Sequence, residues 1–256
     1  MSDDADTRPL VSLITPTFDR DFYLKYQLQS IRQQDYPALE WLVFDDSPVP
    51  SRHLSELDED WLLYHHQTER VSIGDKRNRL IEMARGDIIV HIDDDDYYAP
   101  HYVRFMVDAL EQGGYDLVKL ADMFLYSSNH DKFGYWELDN TQPHCFVWSP
   151  ERWKVARLDT AKAERMDNRK WGFGFSYVYR KRVTEDIKFQ DRNWNEDGPF
   201  ARQVRERYPC AALPDTEGLV LHVLHKSNTS SSFPQYEMPL FMLRQYFPRL
   251  IEGFLH

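Results

Sequence analysis

The sequence predicts an α/β protein with a mostly parallel, doubly wound sheet flanked by helices, and a smaller mixed region in its second half. Short apolar runs alternate with segments of helical periodicity over the first half, as strands and crossover helices do in such sheets. Polar residues directly follow several of these apolar runs. The second half is less regular and rich in aromatic residues, and no internal repeat or low-complexity linker divides the chain.

The first half contains a regular succession of predicted strands and helices. Residues 10–15, 41–44, 61–65 and 87–92 are the predicted strands. Apolar residues at helical spacing predict a helix around Leu24, Leu28 and Ile31 and a second helix over residues 77–84. Because crossover connections make such strands parallel, their carboxyl ends are expected at one edge of the sheet, where ligands bind.

The second half has weaker patterns. Helices are predicted after Pro100 and after Gly198-Pro199, and strands at 117–121, 173–179 and 219–224. Residues 126–148 are polar and aromatic, which is typical of a meander or a binding surface. Met238 to Leu255 has the spacing of an amphipathic helix, broken or kinked at Pro248. We expect this tail to pack on the domain; pairing two subunits in a homodimer or touching a membrane surface are the alternatives.

Composition and charge narrow the functional classes. A formal net charge of −11 argues against a nucleic-acid binder, because backbone phosphates are repelled without a basic patch, whereas a divalent cation suits such a field. Cys145 and Cys210 lack the spacing of a disulfide framework or a metal knuckle. No apolar stretch approaches the roughly 18 to 20 residues that span a bilayer, and residues 1–10 lack a signal-peptide pattern. We expect a cytoplasmic protein; peripheral contact with a membrane surface is the alternative.

The most informative feature is the run Asp93-Asp94-Asp95-Asp96, which ends an apolar strand. Adjacent carboxylates repel and raise one another's pKa unless a cation or hydrogen bonds compensate. Hard divalent ions such as Mg²⁺ and Mn²⁺ take oxygen ligands, often one or two carboxylates with the remainder from substrate phosphates and water. The context therefore favours a metal site over a solvated acidic loop.

Polar groups at other predicted strand ends outline one crevice with this run. Pro16, Thr17 and Asp19 follow the first strand, and Asp45-Asp46 follows the second. Asp and Pro are also common turn residues, so each cluster alone has an alternative explanation. Their occurrence together at one edge of the predicted sheet favours a ligand site.

Four segments of the first half match known sequence motifs in order along the chain. Residues 11–20, VSLITPTFDR, resemble S-V-I-I-P-T-Y-N-R, and residues 30–47 resemble the pattern S-x-x-x-Q-x-Y-x-x-x-E-x-x-V-x-D-D-x-S. Gly74 to Asn78 resembles G-x-x-x-R-N with one residue fewer, and residues 86–96 resemble G-[DE]-[YI]-[IV]-x-x-[LI]-D-x-D-D. In this order the motifs resemble those of the inverting family 2 glycosyltransferases of the GT-A fold. The resemblance implies one Rossmann-like GT-A domain over residues 1–256. It comprises a nucleotide-sugar-binding half (1–98), an acceptor and catalytic half (99–230) and a C-terminal helical tail (231–256).

The resemblance also implies a donor site at the strand ends. Asp46 matches the aspartate that accepts a hydrogen bond from the nucleobase, usually uracil, and Pro16 lies where backbone contacts the base. Arg77, with Lys76 beside it, lies where a basic residue approaches the donor. Asp95 and Asp93 match the outer acids of the D-x-D motif, Asp95 as a direct ligand of Mn²⁺ or Mg²⁺ and Asp93 for the metal or the ribose. The other expected donor contacts are Thr17, Asp19, Gly74 and Asp94.

Farther along the chain the resemblance implies the catalytic and acceptor residues. The segment Asn195 to Phe200 resembles an E-D-x-x-F element that heads a helix beside the acceptor, so Asp197 is the implied general base and Glu196 its neighbour at the acceptor. A helix-capping role is the alternative for Asp197. Trp171 and Gly172 lie where relatives place a glycine-rich acceptor segment. Residues 222–230 resemble an H-x-x-N-x-S element, which implies His225 as a third metal ligand or a diphosphate contact.

Aromatic rings in the second half are candidate walls for a sugar ring, with core packing as the alternative. They include Trp136, Trp148, Trp153, Trp171 and Trp194.

The expected activity is transfer of a sugar from a nucleoside-diphosphate sugar, with UDP-sugar favoured, to a hydroxyl of a glycan or lipid-linked glycan. Polysaccharide biosynthesis is the expected setting. A metal-dependent nucleotidyltransferase is one alternative, but residues 16–20 do not form the glycine-rich basic loop that it needs. A non-catalytic sugar- or cation-binding module is another, and it leaves Asp46, Asp197 and His225 unexplained.

Overall fold

A computed structural model describes residues 8–138, 144–149, 151–157, 170–226, 228 and 231–255 of the chain. The helices are α1 Asp21–Arg32, α2 Ile73–Met83, α3 Tyr102–Gln112, α4 Asp197–Arg207 and the single turn α5 Leu243–Tyr246. The strands are β1 Val11–Thr17, β2 Leu39–Asp45, β3 Leu62–His66, β4 Ile88–His91, β5 Tyr97–Tyr98, β6 Leu117–Leu120, β7 Asp122–Ser127, β8 Lys132–Glu137, β9 His144–Trp148, β10 Trp153–Arg157, β11 Val178–Arg180, β12 Cys210–Leu213, β13 Val220–Leu224 and β14 Tyr236–Met238.

The main sheet has seven strands in the order β12-β6-β11-β4-β1-β2-β3. The pairs β1–β2, β1–β4, β2–β3 and β6–β12 are parallel, and β11 runs antiparallel to both of its neighbours. The predicted fold class, a mostly parallel sheet flanked by helices, is therefore confirmed. The strands predicted at 10–15, 41–44, 61–65 and 87–92 all lie in this sheet.

The central strands are apolar because helices cover both faces of the sheet. Successive side chains of a strand point to opposite faces, and a strand buried on both faces needs an unbroken apolar run. Leu13 and Val43 pack in one core cluster with residues of α1 and α3, such as Leu28. Ile14 and Leu42 pack in a second cluster with residues of α2 and α4.

A second sheet of five strands, β14-β8-β7-β13-β5, is built mostly from the second half of the chain. Here β7–β8, β8–β14 and β13–β5 are antiparallel, while β13 runs parallel to β7. β9 and β10 form a separate two-stranded antiparallel sheet. The expected meander over residues 126–148 is formed only in part: β7 and β8 pair antiparallel, whereas β9 pairs with β10 outside their sheet.

Two predictions for the second half were wrong. Residues 173–179 form a short 3-10 turn at Gly174–Ser176, where Gly174 packs against the Asp197 carboxylate, and enter a strand only at Val178. The C-terminal tail is not one amphipathic helix. It consists of β14, the turn α5 and 3-10 turns at Leu240–Met242 and Glu252–Leu255, whose Phe247 and Phe254 pack against the second sheet.

The sheet register brings the candidate site together. Thr17 of β1 lies opposite Asp45 of β2, and Ile14 lies opposite His91 of β4, so these parallel strands end at one edge. The acidic run leaves β4 at this edge and leads directly into β5 of the second sheet. None of the helices in the described ranges is long and apolar enough to cross a membrane.

Candidate active site

The four aspartates of the acidic run face different partners. Asp94 is buried and accepts a hydrogen bond from Thr17 Oγ1, and Asp96 is fully buried. Asp96 accepts the Val223 N–H at 3.1 Å and pairs with His222 Nδ1 at 2.8 Å. Although burial favours a neutral imidazole, the Asp96 carboxylate raises the pKa of His222 to about 9. Asp94 and Asp96 therefore hold the run in place and link it to β1 and β13.

Asp95 lies beside His225, and the sequence motifs predict both residues at one metal site. The Asp95 Oδ2 and His225 Nε2 atoms are 2.9 Å apart. Arg20 Nη1 lies 3.3 Å from the same His225 nitrogen and Arg20 Nη2 lies 3.8 Å from Asp95 Oδ2. Burial favours the neutral acid, but His225 and Arg20 outweigh it and lower the pKa of Asp95. Tyr23 stacks on the imidazole of His225 with ring centroids 4.9 Å apart.

Asp93 is the most exposed carboxylate of the run, with 31% of its side chain accessible. Its main chain is fixed by Tyr98, whose hydroxyl accepts the Asp93 N–H at 2.9 Å, and by Gln27, which donates to the Asp93 carbonyl at 3.0 Å. Desolvation in the cleft, with the charges of Asp96 and Asp95, raises the pKa of Asp93 well above its ordinary value. A cation bound at this point would relieve that repulsion.

Asp46 is enclosed at the far end of the same edge. Its carboxylate is fully buried, with Lys76 Nζ bonded to Oδ1 and the Val71 N–H donating to Oδ2 at 2.9 Å. Arg70 Nε lies 3.3 Å from Oδ2, and its guanidinium carbon lies 3.2 Å from the centroid of the Phe18 ring. Lys76 also donates to the Thr17 carbonyl at 2.6 Å, and burial lowers the pKa of its ammonium group.

The loop after β1 is set by a hydrogen-bond chain that starts at Asp45. The Asp45 carboxylate accepts from the Ser47 N–H at 2.9 Å and from the Ser47 hydroxyl. Ser47 Oγ in turn accepts the Asp19 N–H at 2.7 Å. Asp19 has φ of 54°, a left-handed conformation that Asp tolerates better than most residues. The chain turns here, which carries Arg20 toward Asp95; Pro16 stays within β1, opposite Phe44.

Asp197 begins α4, as predicted, and faces the acidic run across Arg77. Its carboxylate accepts the Gly174 N–H at 3.1 Å and a hydrogen bond from Arg77 Nη1. Burial raises the pKa of Asp197 to about 6, although Arg77 favours the ionised form. No side-chain capping bond is formed by the residue before the helix, and Asp197 itself lies in the first helical turn.

Two predicted donor or acceptor residues have structural partners instead of open surroundings. A Cβ at Gly74 would lie 1.9 Å from the Gln190 carbonyl oxygen, so close chain packing accounts for this glycine. Glu196 is buried and pairs with Arg77 Nη1 at 2.5 Å. Gly172 has no neighbour within 4 Å of a Cβ position, and buried Trp171 lies under the guanidinium of Arg205 at 4.4 Å.

The tryptophans divide into core and surface. Trp136, Trp148 and Trp171 are buried, whereas Trp153 is 41% and Trp194 74% exposed. Trp194 precedes Asp197 by three residues and is therefore the exposed ring nearest to it along the chain.

Sequence reasoning missed two side chains of this site. Arg20 lies against Asp95 and His225, and Arg70 covers Asp46. Arg20 is the last residue of the first motif, residues 11–20, and this position was the only signal in the sequence that could have identified it. Nothing in the pattern around Arg70 marked it. Within the described residues, no three His, Cys, Asp or Glu side chains are already arranged around a metal position.

Comparisons with known proteins identify the family of this chain and its fold. The family model "Glycosyl transferase family 2" matches residues 12–187. A putative glycosyltransferase, EpsH of Bacillus subtilis, is 30% identical over 104 residues, which is 39% of this chain and 30% of EpsH. The putative colanic acid biosynthesis glycosyl transferase WcaA of Escherichia coli is 28% identical over 126 residues, 48% of this chain and 43% of WcaA. The chain thus spans less than half the length of these relatives.

Solved structures show the same fold. TarS 1-349 of S. aureus in complex with UDP-GlcNAc has a TM-score of 0.64 at 17% identity, covering 86% of this chain and 60% of that chain. The mannosyltransferase PcManGT of Pyrobaculum calidifontis in complex with GDP-Man and Mn²⁺ has a TM-score of 0.57 at 20% identity, covering 87% and 58%. At these identities the likeness concerns the fold alone.

Proposed function

This chain belongs to glycosyl transferase family 2, and on that basis we propose that it moves a sugar from a UDP-sugar to a hydroxyl of a glycan or lipid-linked glycan. The family accounts for transfer from a nucleotide-sugar; the particular donor and acceptor are the proposal. The observation that carries it is the placement of Arg77, which contacts both Asp93 of the acidic run and Asp197. A donor-side acid and a candidate base thus share one cleft.

Asp197 is the proposed general base. A carboxylate with a pKa of about 6 is mostly ionised at neutral pH and still basic enough to receive a proton in the transition state. The acceptor hydroxyl gives its proton to Asp197 as its oxygen bonds to the anomeric carbon. The bond from that carbon to the diphosphate breaks on the opposite face, so the nucleoside diphosphate leaves and the anomeric configuration inverts.

Asp95, Asp93 and His225 are the proposed residues for a divalent metal. Their chemistry fits, because Asp93 and Asp95 present oxygen ligands whose mutual repulsion a cation relieves, and His225 Nε2 lies within 2.9 Å of Asp95. When bound, Mn²⁺ or Mg²⁺ would neutralise charge on the departing diphosphate. The relative PcManGT, solved with GDP-Man and Mn²⁺, supports this choice of ion.

The nucleotide is proposed to lie along the ends of β1 and β2. Asp46 is the proposed acceptor for a nucleobase N–H, with Pro16, Thr17 and Asp19 along the base and ribose and Asp94 and Lys76 beneath them. Because Asp46 is fully buried under Lys76 and Arg70, a base reaches its carboxylate only when the more exposed Arg70 moves aside. Gly74 is better explained by packing than by donor contact.

The acceptor is proposed to approach Asp197 from the side of Gly172 and Trp171. Gly172 leaves open space there, whereas Glu196 is turned toward Arg77 and supports the base instead of facing the acceptor. A lipid-linked acceptor is supported by a Campylobacter jejuni relative, named as a GalNAc(5)-diNAcBac-PP-undecaprenol beta-1,3-glucosyltransferase, which is 29% identical over 93 residues.

A donor screen tests the proposal. Release of nucleoside diphosphate is measured for UDP- and GDP-sugars with Mn²⁺, with Mg²⁺ and with a chelator. We expect metal-stimulated release from at least one UDP-sugar. Release from a GDP-sugar alone would reject the UDP assignment, and no release from any donor with either ion would reject the proposed function.

A further inference from the structure

Arg77 occupies an unusual position for a residue expected to contact the donor. It is only 4% exposed, and its guanidinium lies 5.5 Å from the centroid of the Phe189 ring. Arg77 Nη1 bonds to carboxylate oxygens of both Glu196 and Asp197, and Nη2 lies 3.8 Å from Asp93 Oδ1. The side chain that the motif assigns to the nucleotide-sugar is therefore committed to protein carboxylates.

A guanidinium suits this position for geometric reasons. Its planar fork can serve two carboxylates at once and stays protonated in any environment, whereas the lysine ammonium is a point charge that shifts its pKa when buried. The three nearby carboxylates raise the pKa of Arg77, although burial alone would lower it. Arg77 thus remains a fixed cation between the start of α4 and the end of β4.

We propose that Arg77 is the positioning residue of the base. It holds the Asp197 carboxylate against the Gly174 N–H, and the same guanidinium nitrogen also donates to Glu196. This inference rests on the proposed function, in which Asp197 takes the acceptor proton. It replaces the donor contact expected for Arg77 with a role on the opposite side of the cleft.

Arg77 and Glu196 have opposite effects on the pKa of Asp197. Arg77 of α2 faces its carboxylate, Glu196 adjoins it, and Asp93 lies beyond the guanidinium. From the segment before β11, the Gly174 N–H donates to the carboxylate and the Tyr177 hydroxyl donates to the Asp197 carbonyl at 3.3 Å. Arg77 favours the charged form of Asp197, whereas the charge of Glu196 opposes it.

Two substitutions should therefore move the pH dependence in opposite directions. In Arg77→Gln the base loses its cation, and we expect the acid limb of the kcat profile to move upward by about one pH unit or more. We also expect kcat at neutral pH to fall about 100-fold, because the carboxylate is no longer held in place. In Glu196→Gln the negative charge beside Asp197 is removed while an oxygen that accepts from Arg77 remains, and we expect the limb to move downward by about half a pH unit.

Binding measurements separate positioning from donor contact. We expect the Kd for UDP with Mn²⁺, measured by titration calorimetry, to change less than about threefold in both variants, and Arg77→Lys to recover part of the lost kcat. Arg79→Gln is the matched control, because Arg79 lies on the same helix, has 43% of its side chain accessible and pairs with Asp75. It should leave both the limb and kcat unchanged.

Each other outcome overturns the inference. If the acid limb stays in place in both Arg77→Gln and Glu196→Gln, or moves the same way in both, Arg77 does not position the base. A tenfold weaker Kd for UDP in Arg77→Gln, with the limb unmoved, returns Arg77 to the donor. If Arg77→Gln does not fold, Arg77→Lys decides: a lowered kcat with an unchanged Kd for UDP supports the inference, and an unchanged kcat overturns it. Full turnover in Asp197→Asn would instead reject the proposed base itself.

Discussion

At the donor edge the aspartates stand at the ends of parallel strands, whereas on the acceptor side one helix start and two glycine-containing turns supply the functional groups. Asp46 is enclosed by Lys76, Arg70 and a backbone N–H, so sheet register and neighbouring strands fix it. Asp197 depends on Arg77 and the Gly174 N–H, and open space begins at Gly172. The difference indicates that the proposed nucleotide site is built into the sheet, while the proposed base rests on a few contacts that single substitutions can break.

The largest effect is expected from Asp197→Asn on the acceptor side. An amide cannot take the acceptor proton, so we expect kcat to fall about 1000-fold while the Kd for UDP with Mn²⁺ stays within about twofold. Transfer rate and calorimetric binding are the two measurements. Turnover within tenfold of the unaltered protein would show that the base lies elsewhere and would contradict the proposed separation of donor binding from proton transfer.

Asp95→Asn tests the donor edge in the reciprocal way. Loss of one negative ligand should weaken apparent Mn²⁺ affinity about 10- to 100-fold, as measured by Mn²⁺ dependence of diphosphate release and by calorimetry. The acid limb set by Asp197 should not move. Asp35→Asn is a suitable control, because Asp35 is exposed and pairs with Arg104 away from the strand ends. Equal Mn²⁺ dependence in the altered and control proteins would contradict the metal assignment.

Gly174→Ala probes how finely the base is held. An added Cβ would lie 2.3 Å from Asp197 Oδ1, so the carboxylate must shift. We expect kcat to fall about tenfold with unchanged Kd for UDP, since a shift of the Asp197 carboxylate disturbs its orientation toward the acceptor hydroxyl more than it disturbs donor binding. A thermal melt accompanies the assay, and a loss of donor binding in the folded variant would show that the two sides are not separable.

The smallest effect is expected from substitution of Trp194, an exposed ring near the start of α4. Trp194 is 74% exposed near the start of α4, and an aromatic face there can pack on the C–H face of an acceptor sugar. We expect Trp194→Ala to raise the acceptor KM about fivefold, with donor hydrolysis unchanged. Trp153→Ala, which alters another exposed ring on β10, serves as the control. If both variants behave alike, Trp194 has no special place at the acceptor.

The first half of the fold could be predicted because its signals are local. Runs such as residues 41–44 are apolar on both faces and end at aspartates, so strand positions and strand ends follow from the pattern alone. The parallel register then places Thr17 beside Asp45 without further information. Motif order supplied Asp95 and His225, and the structure does bring them within hydrogen-bond distance.

The remainder depends on tertiary contacts that leave no local trace. The turn at Gly174–Ser176 was taken for a strand because Phe173, Phe175 and Tyr177 alternate, yet Gly174 is there to admit the Asp197 carboxylate. The tail over residues 238–255 has helical spacing, but proline residues and aromatic anchors hold it as separate turns on the second sheet. The motif predicts a donor contact for Arg77, and the structure shows it paired with Glu196 and Asp197, because a motif fixes neighbours in sequence and not partners in space.

The path of the acidic run between the two sheets limits how this protein can be recombined. β13, which carries His222, leads to His225; it comes late in the chain, yet these histidines hold Asp96 and Asp95. A chimera that exchanges everything after residue 98 to change acceptor choice would therefore also replace His225, one of the three residues of the proposed metal site. An exchange confined to residues 99–218 keeps both histidines with the aspartates that they contact. Acceptor grafts are best designed with that boundary.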